Sequence, residues 1–111
     1  MKVFKVGEFE AEIDPTDVAF VKKYEKAADA YNASVTRLPK EGRASDILHA
    51  TCKLFFDTFD AIFGKGTSGK MFGKQESVQA CVDAFGQLIS IVKNYDDALS
   101  GIEAITGKNK E

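Results

Sequence analysis

Along the first thirteen residues apolar and polar positions alternate with a period of two, in the run KVFKVGEFEAEI over residues 2–13. A tight turn at Gly7-Glu8 predicts an antiparallel hairpin that pairs Val6 with Phe9, Lys5 with Glu10 and Phe4 with Ala11. That register places Phe4, Val6, Phe9, Ala11 and Ile13 on one face and sets Lys5 opposite Glu10, a favourable cross-strand pair. A lone two-stranded hairpin is marginal in water. It must therefore lie on helices or pair with a neighbouring chain, and an exposed edge offers a place for strand addition.

From Asp14 the period changes to that of a helix. Asp14 is positioned to cap it, Pro15 suits a first turn, and Asp17 favours the positive end of the dipole. Val18, Val21, Tyr24, Ala28, Tyr31, Val35 and Leu38 recur at steps of three and four, predicting a helix over residues 14–38 that Pro39 and Gly42 end. A second helix is predicted over residues 44–63, with Ser45 or Asp46 near its cap and Gly64 as its left-handed terminator. Projected at about 100° per residue, its apolar arc holds Leu48, Cys52, Phe55, Phe56, Phe59, Ile62 and Phe63, and the polar side covers roughly a third of the circumference. So wide an arc calls for cover by other elements or by another subunit.

Residues 64–74 read as a connection rich in glycine, a flexible link between helices pinned at one end by Met71 and Phe72. A third helix over residues 75–105 carries Val78, Cys81, Val82, Phe85, Leu88, Ile89, Val92, Tyr95, Leu99 and Ile102 at helical spacing. Gly86 beside Phe85 makes a close helix crossing plausible, and residues 107–111 read as a frayed tail. The expected fold is mainly α: an amino-terminal β-hairpin followed by a bundle of three principal helices, in one domain over residues 1–111.

Composition narrows the function. Apolar residues are 44% of the chain, with nine Phe and no Trp, enough for a modest core. The net charge of −2 supplies no basic field, and no basic run exceeds the pair Lys22-Lys23, so nucleic acid is not an expected partner. No stretch approaches the roughly 20 apolar residues that span a bilayer, and the amino terminus lacks the apolar block of a signal peptide. The cytoplasm is the expected location, with Cys52 and Cys81 as buried free thiols.

Catalytic parts are missing. GKGTSGK at 64–70 satisfies the first seven positions of the phosphate-cradling loop GxxxxGK[ST], but Met71 stands where a Mg²⁺-holding hydroxyl belongs. A helix precedes the run where a strand is required. A single His and two Cys on separate helices give no metal spacing, and His49 has no nucleophile placed with it. Glu8, Glu10 and Glu12 read as a strand's solvent face. The expectation is a protein with no catalytic, cofactor or metal residues.

The run Phe59-Asp60-Ala61-Ile62-Phe63-Gly64-Lys65-Gly66-Thr67, then Lys70-Met71-Phe72-Gly73, then Cys81 and Phe85, resembles a group of small tail proteins of siphophages and prophages of Gram-positive bacteria. These are tail assembly chaperones, encoded between the tail tube protein and the tape-measure protein. The resemblance is firmest over residues 55–90, and its motif is one of packing and turns. It implies a helical, non-catalytic protein of the host bacterial cytoplasm, absent from the finished virion. Such a protein coats the tape-measure protein until the tube polymerises around it. The tail tube protein is a further possible partner, and a homo-oligomer is expected. The family supplies no ligand residues to carry over. Codons for Lys108-Asn109-Lys110 are the place to look for a ribosomal frameshift that lengthens the chain.

On the width of the apolar arc, the expected partner surface is drawn from Phe55, Phe56, Phe59, Phe63 and Phe72. The alternatives are a structural tail or connector subunit, which would remain in the virion, and a generic helical module that binds a partner.

Overall fold

The computed structural model describes residues 2–93. Strands β1 (Lys2–Val6) and β2 (Phe9–Ile13) form an antiparallel pair, followed by α1 (Val18–Val35), α2 (Ala44–Phe63), α3 (Thr67–Phe72) and α4 (Val78–Val92). The protein is mainly helical with an amino-terminal hairpin. The hairpin register is Val6 with Phe9, Lys5 with Glu10 and Phe4 with Ala11, as the alternation predicts. Its inner face buries Phe4 and Ile13 and half-buries Val6, Phe9 and Ala11, while Val3, Lys5, Glu10 and Glu12 face water.

The start of α1 differs from expectation. Asp14 does not cap the helix. Its backbone oxygen accepts from Asp17 N–H at 3.0 Å, closing a turn with Pro15 in its second position. The Asp14 carboxylate accepts from both the Thr16 N–H and hydroxyl, and these two bonds hold it below the ordinary carboxylate range. Asp17, in extended conformation, is the cap and accepts from Phe20 N–H at 3.0 Å. The first three predicted helical positions are therefore consumed by a turn. At the other end, Arg37 and Leu38 bond back to Ser34 and Val35 in tightening turns beyond the last helical residue. α2 has the predicted bounds, but its cap position is Arg43, with no side-chain cap bond, and Asp46 lies in the first turn. α4 starts at Val78 behind a Ser77 cap. The rest of the helix predicted to residue 105, and the predicted tail, lie outside the described residues.

α2 is the axis of the molecule. Tyr31 stacks near Phe55 and Phe20 near Phe63, so α1 runs antiparallel to α2. His49 Nδ1 meets Glu76 Oε1 at 2.7 Å just before α4, and further along Phe55 and Phe59 both meet Phe85. α4 thus runs parallel to α2, which requires the intervening chain to double back. α3 makes that return. The core is one cluster built from Phe4, Ile13, Ala27, Cys52, Phe55, Phe59, Ile62, Met71, Phe72, Cys81, Ala84, Leu88 and Ile91. Among the described residues a Cβ built on Gly86 would meet nothing within 4 Å, so none of their helices crosses closely there.

Candidate partner-binding surface

The glycine-rich stretch is a built structure and not a flexible link. Its glycines conceal a helix of six residues, Thr67–Phe72, entered through Gly66 in the left-handed region (φ 93°). Gly66 has no side chain to cap the helix. Asp60 of α2 does so from eight residues upstream: its carboxylate accepts from Ser68 N–H at 2.8 Å and faces the Ser68 hydroxyl at 3.3 Å. Buried Thr67 donates its hydroxyl to the Gly64 carbonyl at 2.7 Å. Gly64, which ends α2, has φ 117° and ψ 155°, outside the left-handed helical region predicted for it. The amide that a phosphate-cradling loop would aim at its ligand is thus engaged by the protein's own carboxylate.

The five phenylalanines expected to form a partner surface separate into two groups. Phe55, Phe59 and Phe72 are buried in the core. Phe59 is enclosed by Phe4, Phe72 and Phe85, and Phe55 by Tyr31 and Phe85. These three rings are spent on the fold of one chain. The wide arc of α2 is covered by α1, α4, α3 and the hairpin, because a central helix with neighbours on several sides needs apolar residues on several sides. Phe56 and Phe63 are half-buried: Phe56 leans on Phe72, and Phe63 packs between Phe4, Phe9 and Phe20.

Among the described residues the surplus apolar surface lies on α1. Of its predicted stripe, Val21, Tyr24, Ala28, Tyr31 and Val35 are half-buried and Val18 is 66% exposed; the one buried residue of the helix is Ala27. Val18, Val21 and Tyr24 line a groove of about 470 Å³ together with Pro15, Thr16, Glu25 and Val92 at the end of α4. Among the described residues nothing covers it. Burial raises the Tyr24 hydroxyl above its ordinary pKa, as expected of a phenol against an apolar wall. Leu48 on α2 and Val82 on α4 are further exposed apolar side chains. Helical periodicity alone could not separate the covered stripe of α2 from the uncovered stripe of α1, since both have the same spacing.

Cys52 on α2 and Cys81 on α4 are buried free thiols. Burial raises both, and Cys81 is pushed up to about 12, with the neighbouring Cys52 acting the same way. Neither is poised as a nucleophile at neutral pH. Among the described residues, no group of three His, Cys, Asp or Glu side chains is placed to hold a metal ion, and no helix is long and apolar enough to cross a membrane.

Fold and surface together define a class: a small, mainly helical protein with a hairpin folded onto its central helix and an apolar groove along the flank of α1. The chain belongs to the DUF6673 family, described as a family of unknown function, whose profile matches residues 7–107. No curated protein and no solved structure gives a significant match.

Proposed function

We propose that the protein is a non-catalytic binding protein, a phage tail assembly chaperone that shields an amphipathic helix of the tape-measure protein in the host bacterial cytoplasm. The observation that carries the binding part is the stripe of α1 that the described residues leave uncovered. Val18, Val21 and Glu25 recur at helical spacing along the rim of the α1–α4 groove, beside Tyr24 and Val92. The eighteen residues of α1 extend about 27 Å at the standard rise, long enough to lie along several turns of a partner helix. The phage part is supported by the resemblance of residues 55–90 to tail assembly chaperones. In that stretch Asp60, Thr67 and Phe72 are tied into one tertiary unit, so its motif serves packing. Phe56 and Phe63 remain the members of the phenylalanine set that can touch a partner or a sister subunit.

The test is co-purification of tape-measure protein with the tagged chain. Val18→Asp and Val21→Asp should abolish it while far-ultraviolet circular dichroism stays at the wild-type level. Equal recovery with both variants would remove α1 from the binding surface. Recovery of the chain from purified virions at the stoichiometry of a tail subunit would replace the chaperone reading with a structural one.

A further inference from the structure

Among the described residues the hairpin has one closed edge and one open edge. A two-residue turn makes Val6 and Phe9 the closing hydrogen-bonded pair, so Phe4 and Ala11 are bonded and Lys5 with Glu10 and Val3 with Glu12 are not. The main-chain groups of these last four residues point away from the partner strand. On β1 the centre of that edge is sealed. Lys5 N–H donates to Gln87 Oε1 at 3.1 Å and Gln87 Nε2 donates to Lys5 O at 3.4 Å, so one side-chain amide of α4 stands in for a neighbouring strand. On β2, among the described residues, the outward N–H and C=O groups of Glu10 and Glu12 have no partner.

We infer that the outer edge of β2 accepts an extended segment of a partner protein, alternating apolar residues with Lys or Arg, as a third strand. Three features select that chemistry. On the solvent face of the hairpin Glu10 has Lys5 opposite, but Glu12 has Val3 and lacks a cation across the pair. A cationic residue on the added strand supplies it. On the inner face the half-buried rings of Phe9, Phe63 and Phe20 form a continuous shelf, with centroids 5.1 Å and 6.1 Å apart along it, beside the edge. At the end of β2 lies a depression of about 430 Å³ lined by Glu12, Ile13, Asp14, Asp17 and Phe20. Ile13 and Phe20 offer apolar surface to the stem of a Lys or Arg and three carboxylates meet its head. Thr16 and the Phe20 amide leave each of the two aspartates free to accept more.

A second copy of this chain is a poor occupant. Its β1 is closed at Lys5, and its β2 would bring one row of glutamates against another. The inference is separate from the α1 groove, since the two surfaces share none of their lining residues.

The probe is a monomeric synthetic peptide alternating Lys with Val and Thr, titrated into the full chain and read by residue-resolved amide hydrogen exchange. Binding should slow exchange at Glu10 and Glu12 by about tenfold or more, since these amides gain partners, and should weaken with salt. The same peptide methylated on alternate backbone nitrogens should lose protection. Glu12→Lys should weaken binding about fivefold, the size of one cross-strand charge pair, and should raise affinity for a Glu-alternating peptide, with circular dichroism unchanged. The inference is overturned if no peptide binds, if the methylated peptide protects equally, or if the acidic peptide binds the wild type as well as the basic one. It is also overturned if Glu10 and Glu12 become protected with rising protein concentration alone, which would assign the edge to a second copy.

Discussion

Gly7 is the position at which the hairpin and the helices are most intolerant of change. The turn sits on the carboxyl-terminal end of α3: Glu8 N–H donates to the Lys70 carbonyl at 2.9 Å. Gly7 has φ 58°, and a Cβ built there would overlap the Met71 carbonyl oxygen and stand 2.9 Å from the Lys70 carbonyl oxygen and the Met71 carbonyl carbon. All three are backbone atoms, so no rotamer change relieves the contact. Gly7→Ala therefore adds three costs. The left-handed backbone costs an L-residue roughly 1–2 kcal/mol. Forcing a methyl into filled space costs roughly 1–3 kcal/mol. Backing the turn off to ordinary contact near 3.5 Å stretches the Glu8–Lys70 hydrogen bond, worth about 1 kcal/mol.

The expected loss is roughly 3–6 kcal/mol, a large share of the 5–15 kcal/mol typical of a domain. Gly66→Ala is the control. Gly66 also sits in the left-handed region, at φ 93°, but among the described residues a Cβ there meets nothing within 4 Å, so only the backbone cost of about 1–2 kcal/mol applies. The entropy that either alanine removes from the unfolded chain is common to both and cancels in the difference. Urea unfolding followed by far-ultraviolet circular dichroism should place Gly7→Ala below Gly66→Ala by about 2–4 kcal/mol. If the two variants agree within about 0.5 kcal/mol, the docking of the turn on α3 is wrong.

Three further outcomes are expected. Phe4→Ala, which removes a buried ring contacting Phe9, Phe59 and Phe63, should cost about 3–5 kcal/mol in the same assay; a loss below about 1 kcal/mol would mean that the hairpin does not plug the core. Asp60→Ala should cost about 1–2 kcal/mol and speed amide exchange at Ser68, whereas Asp57→Ala, which removes an exposed partner 3.7 Å from Lys53, should cost about 0.3–0.5 kcal/mol; equal losses would deny Asp60 its capping role. For Cys81 the sign follows from the raised thiol. The unfolded chain gives up that proton near pH 9 and the folded chain holds it to about 12, so the unfolded state binds fewer protons and stability falls through that window, by up to about 1.4 kcal/mol per pH unit. Cys81→Ala should lack this part of the alkaline slope in urea titrations, and an unchanged slope would contradict it.

What the sequence made legible was set by local rules. Alternation with a turn at Gly7-Glu8 yields the hairpin register because a slip of one residue would put Lys5 and Glu10 into the core in place of Phe4 and Phe9. The bounds of α2 follow from its unbroken apolar period and from Gly64. α3 escaped notice because its stability is borrowed: Gly66 and Gly69 depress helix propensity, and the cap arrives from Asp60, a residue that reads on its own as part of the wet face of α2. Gln87 likewise looks like a surface residue of α4, yet its amide closes the edge of β1. Phe55, Phe59 and Phe72 were legible as apolar but not as core, because periodicity reports which face is greasy and not how many neighbours will cover it.

That last distinction governs where a partner can bind. Two helices of comparable length carry apolar stripes, and the described residues cover only one of them. α2 is enclosed because α4 returns parallel to it, which the short α3 permits, and because Phe4 enters from the hairpin. α1 touches α2 along one side and reaches α4 through Tyr31 and Phe85, leaving Val18, Val21 and Tyr24 at the rim of a groove. An apolar side chain left at a rim costs stability that burial would have supplied, about 25 cal/mol for each Å² left wet. Its retention is accounted for if a further apolar segment completes the burial. The central helix is therefore the scaffold, and α1 is the helix that, among the described residues, has apolar surface to offer.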